Sequence, residues 1–292
     1  MKNKNKIKSN ASDVIYVWVI SVILILFSIA ALYPFLNVVA ISLSDKEYVA
    51  KGAISVFPKG FNIDAYKSVL SSKTIFIGYK NSIIVTVLTT VFGIILTAMT
   101  AYPLSKSKLP GCKYFLIIVS VTIWFYGGMI PSFLVMRELN LLDSLFGLSI
   151  ANALAGYNII VMRSFFMSIP DSLEESAMLD GCNDIQVLFK VILPLSLPSI
   201  ATIGLWIAVA AWNDFLRPML WLSSTSKYTL QIFLRDIIIN SNIEASDIES
   251  GVATSDMIKY ATIIVATVPV LCVYLIFNKY FVKGLASGAV KG

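Results

Sequence analysis

Residues 168–198 read SIPDSLEESAMLDGCNDIQVLFKVILPLSLP. Ser172 and Glu175 stand three apart, the spacing at which a hydroxyl caps a helix start and a carboxylate reaches back to the cap. Gly181 is placed to stop that helix, because glycine best tolerates the left-handed conformation just past a helix end. A second helix can begin at Asn183 or Asp184 and run to the breakers Pro194 and Pro198, carrying the apolar Leu188, Phe189 and Ile192. The spacing therefore predicts a short helix, a tight glycine turn and another short helix. Such a unit can be a docking element or an idle amphipathic connector lying on a membrane.

The sequence on either side decides what the loop belongs to. Hydrophobic residues make up 57% of the 292-residue chain and charged residues only 14%, against roughly 25% charged in a soluble domain. The deficit is concentrated in blocks of about 20 residues, the length that crosses a bilayer as a helix. Six spans follow, at about 14–43, 77–104, 114–136, 149–167, 199–222 and 258–277. Gly127, Gly128 and Pro131 are expected to bend the third. The first block is too long for the h-region of a signal peptide and lacks a cleavage site, so it is read as a retained span. Residues 1–13 form a basic cytoplasmic tail, 14–278 the six-span domain containing loop 168–198, and 279–292 a second cytoplasmic tail. The basic leader, Lys106, Lys108, Lys113, Lys279 and Lys283 favour termini on the cytoplasmic side. Residues 44–74 have room for one amphipathic helix at the membrane surface, and 223–257 form a polar loop on the face opposite the termini.

Several chemistries are missing. There is no histidine, which removes the commonest metal ligand and general base. Cys112, Cys182 and Cys272 are isolated, without metal-like spacing; no metal or other cofactor is expected. No Gly-Lys dipeptide occurs, so no GxxxxGK[ST] phosphate loop exists and the chain is not an ATPase. No ionisable residue stands at a mid-span position, since Arg137, Arg163, Arg217 and Lys259 all sit near predicted span ends. The net charge of +6 is read as attraction to the cytoplasmic face and anionic membrane lipid, not to nucleic acid. If the protein moves a solute uphill, an outside partner must supply the work. An ion-coupled secondary transporter or a membrane scaffold remain the competing classes; carbonyl-built sodium sites would leave no charged residue to see.

The loop also resembles the EAA motif of ABC importer permeases: EAA, three residues, Gly, nine residues, then I-x-L-P. Here the match is Glu175-Ser176-Ala177, three residues, Gly181, nine residues, then Val191-Ile192-Leu193-Pro194, with Ser176 and Val191 departing conservatively. The resemblance implies the all-α, six-span fold of a type I importer permease. It also implies that residues 174–181 dock into a cytoplasmic ATPase subunit; Glu174, Glu175, Ser176, Ala177, Asp180, Gly181 and Pro194 are the coupling candidates. The stretches NSIIVTVLTT, TAYPLSKSKL, IPSFLVMRELNLLDS, AWNDFLRPMLWLSSTSKYTL and GLASGAVKG look like the carbohydrate-uptake branch. They are similar to the shorter maltose-system permease, and closer to permeases of lipoprotein-type oligosaccharide and polysaccharide uptake.

That family implies a second homologous permease, two copies of a cytoplasmic ABC ATPase, an extracellular solute-binding protein and a sugar cargo. A peptide or amino-acid cargo is the alternative within it. Loop 223–257 is the candidate for reaching the binding protein, and the terminal 284–292 for touching the ATPases. Sugar sites favour aromatic faces with amide partners, so Trp124, Tyr126, Asn152, Tyr157, Asn158, Trp206, Trp212 and Asn213 are the substrate-path candidates. Each also has a plainer reading, as an interfacial belt residue or as interhelical glue.

Overall fold

The computed structural model describes residues 11–106, 109–239 and 255–289. Among them the structure is entirely helical. Three helices are long and apolar enough to cross a membrane unbroken. Three more candidate spans are each broken in two, giving six if each bent pair counts as one.

The chain divides into two compact units. One holds α1 (Ala11–Ser42), α2 (Lys46–Ala50), α3 (Asp64–Ser71) and the opening of α15 (Ser255–Ala289). From Ile15 to Leu36 nearly every side chain of α1 is exposed and apolar, a surface that suits hydrocarbon and not water. The connector after α1 is tied into a compact turn. Asp45 N–H donates to Lys59 O (2.9 Å), Asn62 N–H donates to Leu43 O (2.9 Å), and Asp45 caps α2. Two short helices thus stand where the sequence predicts one, because Pro58 and Gly60 fall between them.

The other unit is built on α4 (Lys73–Ser105), followed by α5 (Cys112–Trp124), α6 (Met129–Glu138), α7 (Leu145–Ala151) and α8 (Gly156–Phe166). Loop 168–198 supplies α9 (Asp171–Leu179), α10 (Asp184–Val187), a wide π turn (Leu188–Ile192) and α11 (Leu193–Leu195). Then come α12 (Leu197–Asn213), α13 (Leu216–Trp221), a 3₁₀ turn (Thr225–Lys227), α14 (Leu230–Ile239) and the remainder of α15. The buried residues of α4 include Gly78, Ser82, Val85, Thr89, Gly93, Thr97 and Ala101, a stripe of small side chains. A Cβ on Gly93 would lie 2.8 Å from Ala153 O and from Ile207 Cδ1. The small-residue stripe is what lets neighbouring helices approach, as expected where lipid supplies no hydrophobic drive between them.

The bends are sharp: 115° between α5 and α6, 57° between α7 and α8, and 86° where the α10–α11 segment meets α12. The first falls at the predicted Gly127, Gly128 and Pro131, with Gly128 at φ 95°. Loop 223–257 is more ordered than its polar composition suggests. It contains the 3₁₀ turn and α14, whose Leu230 is fully buried; residues 240–254 lie outside the described set. α15, the sixth span, continues through Ala289 with no break at residue 279, where the sequence places the start of a tail.

Candidate functional site

In loop 168–198 the helix–Gly–helix forms as the spacing predicts, but its caps are different. α9 starts at Asp171 behind Pro170, whose extended conformation (φ −60°, ψ 131°) delivers the chain into the helix with no side-chain cap. Ser172 and Glu175 are therefore inside α9 and exposed. The reciprocal capping box belongs to the second helix, where Asn183 and Gln186 bond each other's backbone N–H groups. Gly181 (φ 86°) ends α9 as expected. Its N–H donates to Met178 O and Cys182 N–H to Ala177 O, both at 3.0 Å, closing a Schellman turn. Pro194 cannot donate to Lys190 O, and the π turn just before it absorbs that loss.

One side of this unit is anchored. Ala177, Val187, Leu188 and Ile192 pack with Ile159, Met162 and Phe166 of α8 and Tyr102 of α4. Glu174 is buried among them and ion-pairs with Lys106, the residue capping the C-terminus of α4, with the Tyr102 hydroxyl also donating to it. Arg163 Nε donates to Leu104 O at 2.7 Å, so α8 and α9 both grip the same helix end. The opposite side is bare: Leu173, Met178, Ile185 and Phe189 are exposed, and Leu179 is 89% exposed.

A cavity of about 980 Å³ lies within the α4-based unit. Three interruptions of the helices border it: Phe125, Tyr126 and Gly127 between α5 and α6; Asn152, Leu154 and Ala155 between α7 and α8; and Asp214 between α12 and α13. Irregular backbone at membrane depth is tolerated only inside protein or beside a water-filled space, so the breaks and the cavity account for each other. Tyr157 and Trp206 meet in the wall with ring centroids 5.7 Å apart and planes tilted by 36°. Asp214 and Arg217 also line it; Arg217 Nε lies 2.8 Å from Asp214 Oδ2 and its Nη1 donates to Asn152 Oδ1.

Residues 8–287 match the family model described as the binding-protein-dependent transport system inner membrane component. The chain is a permease of that family. It is 41% identical over 273 residues to the polygalacturonan/rhamnogalacturonan transport system permease protein of Bacillus subtilis (strain 168), covering 92% of this chain and 96% of that one. It is 39% identical over 262 residues to the protein LplC of the same organism, with 89% of each chain covered. A crystal structure of a bacterial ABC transporter involved in import of the acidic polysaccharide alginate superimposes with a TM-score of 0.88. That chain shares 37% identity with this one, and the match covers 94% of this chain and 99% of the other. The permease is thus a multi-pass inner-membrane transport component of an ABC system, not its ATPase.

Of the permease's eight substrate-path candidates, Tyr126, Asn152, Tyr157, Asn158 and Trp206 line the cavity. Three do not. Trp212 is buried elsewhere, its Nε1–H donating to Ala266 O at 3.2 Å and its ring edge-on to Tyr79. The Asn213 amide is turned back onto Val209 O, and Trp124 points away at the exposed end of α5. Asp214 and Arg217 were missed as site residues. Arg217 reads as a snorkelling span-end cation, yet both fall within the predicted fifth span, so the expectation of spans free of mid-span charge fails at Asp214, where that span breaks. The signal that could have found them is the spacing itself: Asp and Arg three apart can pair and reduce each other's burial cost. Among the coupling candidates, Glu175, Ser176, Asp180, Gly181 and Pro194 are exposed, whereas Glu174 and Ala177 are buried.

Proposed function

We propose that this permease pairs with a second homologous permease to carry an oligosaccharide, delivered by an extracellular binding protein, across the membrane. Two copies of a cytoplasmic ATPase drive the movement by docking at α9 and α10. The observation that carries the reading is the convergence of three helix interruptions on one cavity walled by paired aromatic rings and amides, groups suited to sugar faces and hydroxyls. The cargo class is supported by two of the similar proteins, a permease of polygalacturonan/rhamnogalacturonan transport and a transporter involved in alginate import.

Motor contact at the loop is supported by its one-sided anchoring. Leu179, Ile185 and Phe189 are exposed apolar side chains of this one short segment, and exposed apolar surface marks partner sites. A short helix pinned to α4 by the Glu174–Lys106 ion pair transmits displacement where a slack loop would absorb it. On this reading both termini and loop 168–198 lie on the cytoplasmic side, as the basic residues near the span ends also favour.

The test is purification of the permease from its host, followed by transport in proteoliposomes. The expected result is co-purification of an ATPase and a second permease, and ATP-dependent uptake of oligosaccharide only when the binding protein is present. Uptake driven by an ion gradient without ATP, or uptake of peptides in place of saccharides, would overturn the proposal.

A further inference from the structure

Asp214 and Arg217 are the only charged side chains that line the cavity among the described residues. They are not equally presented: the Asp214 side chain is 12% exposed and that of Arg217 38%. The carboxylate is the buried anchor, and the guanidinium is the member turned to the open space. Two acceptors fix its plane, Asp214 at Nε and Asn152 at Nη1. Among the described residues Nη2 has no acceptor, so a cationic donor pair with a set orientation is left facing the cavity.

We infer that Arg217 is a carboxylate-recognition group, and that the cargo is accordingly an oligosaccharide bearing acidic sugars. The inference rests on the oligosaccharide reading and narrows it. Hydroxyls of a neutral sugar can be met by the amides and aromatic rings already present. A guanidinium kept in such a wall costs desolvation, and a planar, always-charged fork is the group best matched to a carboxylate. The neighbouring Asp214 serves transport as well as positioning. It keeps the pair neutral overall, so an incoming anion gains a charge-assisted bond from Nη2 without meeting an unbalanced cation that would hold it.

The assembled complex in nanodiscs, arrested with ATP and vanadate, is titrated with trigalacturonate and with its methyl triester. Wild type should bind the acid about tenfold or more tightly than the ester, the usual worth of one charge-assisted bond. Arg217→Gln should abolish that preference while leaving affinity for the ester. Because Arg217→Gln strips the buried Asp214 of its partner, D214N/R217Q is measured alongside, and it too should show no preference. Equal binding of both ligands by wild type would overturn the assignment, as would a preference that survives in R217Q or returns in the double variant. Failure of wild type to import either saccharide with its binding protein would instead overturn the oligosaccharide reading itself.

Discussion

Lys106, the residue that caps α4, reaches the one buried acidic side chain of α9, Glu174. The ion pair joins the helix proposed to meet the motor to the helix whose Thr89 lines the cavity. Displacement of α9 therefore has a direct mechanical path to the passage, besides the chain that links α9 to α8.

Glu174→Ala should weaken this joint by about 1–3 kcal/mol, since it leaves a half-buried ammonium without its partner. The variant should insert and assemble, but its ATP hydrolysis should become less dependent on the loaded binding protein. Glu175→Ala, at an exposed position, should instead weaken ATPase binding. The charge-swapped pair K106E/E174K should recover part of the coupling lost by either single change, measured as sugar moved per ATP hydrolysed. No recovery would show that the pair is not the joint.

Substitutions at Gly181 separate shape from space. A Cβ there meets nothing within 4 Å, so the only penalty is the left-handed backbone, about 1–2 kcal/mol for a non-glycine residue. Gly181→Asn should retain most transport and Gly181→Val should lose most of it. Gly181→Asp adds to that a negative charge at the C-terminus of α9, against the helix dipole and on the proposed docking face, so it should insert normally yet fail to couple. Uptake assays beside a quantitative ATPase pull-down read the difference.

The six spans and the loop were legible in the sequence because each is written in a local code. Apolar length gives the spans, and the glycine and proline at fixed distances give the turn. The bend at Gly127–Gly128 is legible for the same reason. The break at 152–155 is not, since Asn, Ala, Leu and Ala each fit a helix. It becomes intelligible only when Gly156 is seen packed against Thr122 and Val119 O, 2.7 and 2.9 Å from where its Cβ would be. Trp212 illustrates the converse difficulty. An indole in a span suits sugar stacking and helix packing equally, and only its bond to Ala266 O decides between them.

The Trp206–Tyr157 pair offers a test of the cavity that is independent of charge. Trp206→Ala removes one half of that pair and should lower uptake of any oligosaccharide by about tenfold, as expected for loss of a large aromatic contact. Trp212→Ala should act differently, reducing the amount of assembled permease while leaving the transport rate per assembled complex nearly unchanged. Surface-normalised uptake distinguishes the two.

On the other side of the unit, Asp143 links two loops. Its carboxylate accepts from Lys227 Nζ (2.8 Å), Ser224 Oγ (2.7 Å) and the N–H groups of Ser224 and Ser223 (3.0 Å each). Lys227 first, then the Ser224 and Ser223 donors, hold its pKa well below the usual carboxylate range. The stabilisation is therefore fully present above about pH 4, the unfolded value, and fades only as pH falls towards the lowered folded value. Hydrogen-exchange protection across residues 222–228 should stay constant from pH 7 to 5 after correction for intrinsic exchange rates. Asp143→Asn should lose that protection throughout the range, and a wild-type loss near pH 6 would contradict the assignment.

The interruptions around the cavity have a consequence for how selectivity can be altered. Where Phe125–Gly127, Asn152–Ala155 and Asp214 leave the helical pattern, part of the wall is peptide amide and carbonyl. No substitution deletes the carbonyls, and only one to proline removes an N–H. A mutational scan of the wall therefore samples only the fraction of recognition carried by side chains, and will record the rest as silence. Selection on cargo acts through the same narrow set of positions, so a new diet requires few replacements and inherits the old passage intact.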